Sequence, residues 1–332
     1  MCKKVFLGID TSCYVTSVAI VDGDLNLLGD ERHPLAVPYG KKGLRQQDAV
    51  FSHVKNLSGV IDSIMKNASK EGTLHLELAG VGASVSPRSE EDSYMPVFKV
   101  GEMAGRVIAS TWSVPFFSLS HQEGHIAAGI WSQSKWDSED FLAIHISGGT
   151  TEFLRVNTVS SGNTRLYIKD MLGGSEDLHA GQFIDRVGVH MGLPFPAGPD
   201  LEILARQGDP DKVHIPSSVN GLKMSFSGPA TCGIKALKDG ADPRDVAAAV
   251  ERCIANTLEK VIRRGVDITG LNTVLIVGGV AANEGIKARL RHRLKGIYGD
   301  SLYFAVPKYT GDNAVGIAVE TARRLREVEK IR

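Results

Sequence analysis

The chain has 332 residues, more than one ordinary core accommodates and about enough for two lobes of common domain size. Hydrophobic residues make up 42% and charged residues 23%, as in a folded globular protein, and 38 Lys plus Arg balance 38 Asp plus Glu to a net charge of zero. That balance neither proposes nor excludes a nucleic-acid partner, since local patches outweigh the sum, but no apolar run comes near the roughly 18–20 residues that span a bilayer, so no membrane partner is expected.

The N-terminus runs straight into a strand, without a signal-peptide core or cleavage site. Cys2, Cys13, Cys232 and Cys253 lie far apart with no Cys-x-x-Cys pair. This argues against a disulfide framework or a cysteine zinc site, and the expected compartment is the reducing cytoplasm. Val5 to Val21 reads as a buried strand, a tight turn of small hydroxyl residues and a second strand rich in β-branched residues. Asp48 to Asn67 carries apolar residues at helical spacing (Val50, Val54, Leu57, Val60, Ile61 and Ile64). Leu78 to Ser84 reads as a strand and Val100 to Ser110 as a small-residue helix that packs closely on a sheet.

Phe141 to Val156 repeats the opening plan, strand, turn and strand, around Ser147-Gly148-Gly149-Thr150. A turn of such residues leaves backbone N–H groups able to face phosphate oxygens, although a single hairpin of this kind is also a common structural unit. Two of them, each opening one half of the chain, fit duplicated lobes with nucleotide in the cleft between. That is the layout of the actin, sugar-kinase and Hsp70 superfamily. The expected fold is therefore α/β and two-lobed, with lobes at 1–119 and 120–332. Further along, Asp242 and Pro243 open a long amphipathic helix to about Arg264, with Asp242 as its cap. Val274 to Val277 is a buried strand, followed by Gly278 to Asn283 and a basic helix carrying Lys287, Arg289, Arg291, His292, Arg293 and Lys295. That helix fits either a phosphate track or a solvated face. The last helix spans Asp312 to about Arg326, near the interlobe cleft.

Three constellations carry chemistry. His121-Gln122-Glu123-Gly124-His125 sets two imidazoles four residues apart, on one face of a helix, where both can reach a single metal. No Glu directly follows the first His, which weakens a zinc-peptidase reading. Asp312 is the candidate third ligand, at the expected cap of the last helix; the plain alternatives are a polar helix face and an ordinary cap. Gly278 to Asn283 follows a strand and opens a helix, a place for an anionic ligand group, with the Asn283 amide suited to an adenine edge or ribose. Asp185 and Glu202 flank a Pro/Gly loop around Gly198; they suit ribose hydroxyls or are solvated helix charges.

In these residues the chain closely resembles the tRNA threonylcarbamoyladenosine transferase family, formerly described as O-sialoglycoprotein endopeptidases or glycoproteases. The resemblance covers nearly the whole length. It rests on Gly8 to Cys13, Ser120 to His125, Ser147-Gly148-Gly149, Gly181 with Asp185, Ala197-Gly198-Pro199, Ser225 to Gly228, Gly278 to Asn283 and Asp312-Asn313, in the family's order. It implies that His121, His125 and Asp312 hold one iron or zinc ion per subunit. It implies that His145, Ile146, Ser147, Gly148, Gly149, Asp185, Gly198, Glu202 and Asn283 bind the adenylate of threonylcarbamoyl-AMP, a site that ATP or AMP can also occupy. The implied reaction moves the threonylcarbamoyl group to the exocyclic amine of the adenosine beside the tRNA anticodon, with helper proteins as partners.

The chain departs from the family at Thr150, where His is usual, and at Ser86 to Asp92, where the family has Gly-Pro-Gly-Leu. It departs again at Asp177-Leu178 and Gln182. These differences bear on the acceptor and partner surface and mark a divergent paralogue as an alternative. Two further alternatives are a carbamoyltransferase with a non-tRNA acceptor and a weakly catalytic scaffold subunit of a tRNA-modification complex. The metal triad argues against the scaffold.

Overall fold

A computed structural model describes residues 2–12, 14–37, 43–70, 75–90, 92–160, 164–298 and 301–331; Cys13 and Glu91, both in motifs singled out above, lie outside the described residues. The first sheet holds β1 (Cys2–Thr11), β2 (Val15–Asp22), β3 (Leu27–Pro34), β4 (His75–Ser86) and β5 (Phe116–Ser120), in the order β3-β2-β1-β4-β5. β1 to β3 form an antiparallel meander. β4 and β5 join parallel to β1 after crossovers through α1 (Gln46–Lys70) and α2 (Phe98–Trp112).

The second sheet holds β6 (Asp140–Ile146), β7 (Thr151–Ser160), β8 (Thr164–Ser175), β9 (Ser218–Asn220), β10 (Lys223–Ser225), β11 (Val274–Val277) and β12 (Leu302–Phe304), in the order β12-β11-β6-β7-β8-β10-β9. Within it, β8-β7-β6-β11-β12 repeats the first sheet strand for strand, again an antiparallel meander with two parallel additions. The fold is thus a two-lobed α/β duplication of actin-like type. The helices are completed by α3 (His121–Trp131), α4 (Ala180–His190), α5 (Gly198–Ala205), α6 (Ser227–Lys238), α7 (Pro243–Thr269), α8 (Glu284–Tyr298) and α9 (Val315–Ile331).

Local chemistry explains two helix ends. Asp242 caps α7 as expected, accepting from Arg244 N at 2.9 Å, and the helix runs on past Arg264 to Gly270, whose left-handed backbone closes it. α9 starts three residues later than the sequence suggests. Asn313, not Asp312, is its cap: Asn313 Oδ1 accepts from Val315 N at 3.0 Å, which frees the Asp312 carboxylate for other partners.

Two helices join the sheets. Ile126 and Ile130 of α3 pack with Phe141, Ala143, Leu275 and Val277 of the second sheet. Val315, Ala318, Val319 and Ala322 of α9 pack with Phe6, Ala19 and Val21 of the first. The two helices cross at Gly124 and Gly316, so closely that a Cβ on Gly316 would lie 1.8 Å from the Gly124 carbonyl oxygen. Only a residue without a Cβ fits there.

Gly316→Ala should therefore cost about 1–3 kcal/mol, the usual range for overpacking. Gly59→Ala, on the exposed face of α1 with open space around it, should gain about 0.5–1 kcal/mol. Urea unfolding of both variants checks the pair. Equal, small effects would mean that the crossing is not tight.

Candidate metal centre and nucleotide cleft

α3 starts with a capping box. Ser120 Oγ accepts from Glu123 N at 3.1 Å and Ser120 N donates to Glu123 Oε2 at 2.7 Å, which fixes the first turn and with it His121. His121 Nδ1 lies 2.9 Å from Asp10 Oδ2 at the end of β1. A carboxylate only accepts, so Nδ1 carries a proton, and Nε2 is the nitrogen that could give its lone pair to an ion once its own proton leaves. Asp10 is held in turn by the Ser84 hydroxyl at 2.5 Å.

His121 Nε2 and His125 Nε2 are 3.1 Å apart, and Asp312 Oδ1 lies 3.5 Å from each. Tetrahedral zinc, with bonds of about 2.0–2.1 Å, sets its ligand atoms about 3.3 Å from one another. The three donors fit an ion on that measure, and the Asp10 contact is the outer-sphere partner that such a histidine ordinarily has. Burial would lower the His121 imidazole, but Asp10 and Asp312 raise it well above the usual histidine range. Burial would likewise raise Asp312, and the hydrogen bonds from His121 and His125 hold it well below the usual carboxylate range. Burial keeps His125 and His145 low, as neutral imidazoles.

A cleft of about 550 Å³ opens between the sheets. Tyr14, Val15 and Leu35 line it from the first, and Gly148, Asp185, Gly198, Glu202 and Asn283 from the second. The first hairpin turn connects Asp10 to the cleft wall at Tyr14. The second does the same from His145 to Gly148. Asp185 accepts from Ala197 N at 2.8 Å, and burial raises its carboxyl. Asn283 caps α8, with Oδ1 accepting from Ile286 N at 2.8 Å while Nδ2 donates to Glu251 at 2.6 Å. Gly278 makes this turn possible: its φ is +96°, and a Cβ there would lie 2.3 Å from the Ile146 carbonyl oxygen.

Other expected site residues stand differently. The Ile146 side chain is fully buried in the core with Phe183 and Ile184. The second turn is less open to phosphate than its composition suggests, because it closes on itself. Ser147 N donates to Thr150 O at 2.7 Å and Gly149 N to Ser147 Oγ at 3.2 Å. In the first turn the Thr11 hydroxyl donates to Val97 O and the Ser12 carbonyl accepts from His53 Nε2. The loop from Ser86 onwards is latched across the lobes: Arg88 pairs with the buried Glu152 on β7, which also accepts from Gln122, the neighbour of His121. Sequence reasoning assigned no role to Asp10, Arg88, Glu152 or Glu251. Only Asp10 carried a signal, as a carboxylate ending the first strand within a recognised motif.

The family model of tRNA N6-adenosine threonylcarbamoyltransferase (TsaD) matches residues 37–319. The chain belongs to this family. Solved structures add the fold. The chain is similar to the activator of the 2-hydroxyisocaproyl-CoA dehydratase from Clostridium difficile, solved with bound ADPNP, at 14% identity and a TM-score of 0.54 over 99% of this chain and 98% of that one. It is similar to T. kodakarensis HypF at 15% identity and a TM-score of 0.59, over 98% of this chain and 48% of that one. It is similar to the ROK hexokinase from Thermus thermophilus at 14% identity and a TM-score of 0.53, over 98% and 99% of the two chains. Among the described residues of this TsaD-family chain, no helix is long and apolar enough to cross a membrane.

Glu251, beside Asn283, is pushed up to about 7, chiefly by burial and further by the nearby Glu202, against the Asn283 hydrogen bond and Arg206. The folded chain thus keeps a proton that the unfolded chain, with a carboxyl near 4.5, releases. Stability from this group falls as pH rises from about 4.5 to about 7 and is level above that. Glu251→Gln, which keeps an acceptor for Asn283, should match the parent near pH 5 and exceed it at pH 8 by at most roughly 3 kcal/mol. Urea unfolding at both pH values checks this; a difference independent of pH would show an ordinary carboxyl.

Proposed function

We propose that the chain transfers a threonylcarbamoyl group from threonylcarbamoyl-AMP to the exocyclic amine of the adenosine next to the tRNA anticodon. The observation that carries this reading is the convergence of His121, His125 and Asp312 within 3.5 Å of one another, where α3 begins and just ahead of α9, in a chain of this family whose two hairpin turns reach the adjoining cleft. One iron or zinc ion per subunit would be held by His121, His125 and Asp312; when bound, it supplies Lewis-acid polarisation of the carbonyl under attack.

The chain's own groups do the rest. Asp10 keeps the His121 proton on Nδ1. Asp185, Glu202 and Asn283, with the backbone of Gly148 and Gly198, hold the adenylate. The lobes divide at 119/120, with α9 returning from the second to pack on the first. The dehydratase activator, a protein of the same fold, was solved with bound ADPNP, which supports a nucleotide-binding role. On this reading the partners are tRNA and helper proteins of the transfer complex, and the location is the cytoplasm.

A second reading, a carbamoyl-type transfer to another acceptor, is favoured by one feature, the Arg88–Glu152 latch in a loop that departs from the family's Gly-Pro-Gly-Leu.

Supplied with threonylcarbamoyl-AMP and the helper proteins, the purified chain should label unmodified tRNA and not free adenosine. Chelation should abolish labelling and added metal restore it. His121→Ala should lower labelling by more than the roughly 10–100-fold that loss of an outer-sphere partner costs. Label on a small hydroxylated metabolite, with tRNA blank, would transfer the assignment to the second reading.

A further inference from the structure

Val280, Ala282 and Asn283 line the nucleotide cleft, and α8 starts from them. From there the helix extends about 22 Å along the second lobe. It carries five Lys or Arg residues against one acid, Glu284, in a chain whose net charge is zero. Ile286, Leu290 and Leu294 form its inward row and are buried in the core. Arg291, His292 and Lys295 stand exposed.

Cations on a helix are ordinarily offset by acids one turn away, and here the offset is partial. Lys287 pairs with Glu284 at 2.8 Å, and Arg293 pairs with Glu259 of α7 at 2.9 Å. Arg289 has only the neutral Asn256 Oδ1, at 2.8 Å. Arg291 and Lys295 have no acidic partner among the described residues. The Arg291 guanidinium lies 5.1 Å from the centre of the Phe304 ring, a seat that takes none of its N–H groups. Burial, and then the nearby charges of Arg293 and Arg252, lower the Arg289 guanidinium against the pull of Glu259 and Asp211. Cations outweigh acids around this helix.

We propose that the outward face of α8 is a docking surface for the phosphate backbone of tRNA, with Arg291 and Lys295 as its phosphate contacts. Naming tRNA rests on the function proposed above. Residues 291 and 295 lie one helical turn apart, so both meet one strand of backbone. A polyanion offsets the crowded cations, and release of its counterions drives the contact. An anionic membrane fits this face less well. A helix that lies on lipid turns an apolar side to it, and the apolar side of α8 is spent on the core. Because α8 begins at the cleft, a strand that follows it is led toward the donor site.

Binding of unmodified tRNA to the full chain, followed by fluorescence anisotropy across a salt series, tests the surface. Arg291→Gln combined with Lys295→Gln should raise the dissociation constant roughly 10-fold and reduce the log–log salt slope by about 2. Lys55→Gln combined with Lys66→Gln, two exposed cations on α1 of the other lobe, should change neither. AMP should raise thermal stability equally in all three chains, since none of the four residues lines the cleft. An α8 variant that loses the AMP shift would place its effect in the cleft and overturn the surface. Parent-like affinity and slope in that variant, an equal loss in the α1 variant, or a parent that holds no tRNA would overturn it as well. If tRNA docks on α8 but takes no label in the transfer assay, the surface stands and the tRNA acceptor falls. Label on tRNA with an unchanged α8 variant is the reverse.

Discussion

The crossing of α3 and α9 is the contact on which the site depends. Gly124 and Gly316 bring two backbones closer than any side chain would permit, and each helix is anchored to a different sheet. His121 begins α3, and Asp312 stands just ahead of α9. Their meeting is thus a consequence of the crossing rather than of local attraction. Buried His and Asp groups repel or demand partners unless held in register, and rigid helices on two sheets supply that register at no cost to the site itself. The same arrangement makes the centre a junction: a relative shift of the sheets would separate its ligand atoms.

Around that junction the polar groups are ordered outward. Ser84 fixes Asp10, Asp10 fixes the His121 tautomer, and the Ser120–Glu123 box fixes the start of the helix that presents it. Glu123 is tied in turn to Arg324 of α9, a second link between the crossing helices. On the cleft side, Asn283 divides its amide between the α8 backbone and Glu251, so its orientation is set before any ligand arrives. Preorganisation of this kind lowers the ordering cost of binding.

Much of this was legible in the chain. The two hairpins stand out because strand, small-residue turn and strand recur at the start of each half, and the strand order of the second sheet repeats the first. His121 and His125 are legible as a pair because helical spacing is local. Asp312 is legible as a candidate third ligand, but its expected place as the helix cap is not what the fold shows, since Asn313 takes that position. The Arg88–Glu152 latch and the pinning of Ser12 by His53 could not be read, because both join residues dozens of positions apart through tertiary packing alone.

We propose one ion at the junction, with a nucleotide in the adjoining cleft. Crystals grown with zinc and AMP, measured at the zinc edge, test it most directly. A single anomalous peak bounded by His121, His125 and Asp312, with adenylate density against Asp185, Glu202 and Asn283, is the predicted result. A peak at any other side chains, or nucleotide density outside that cleft, would contradict it.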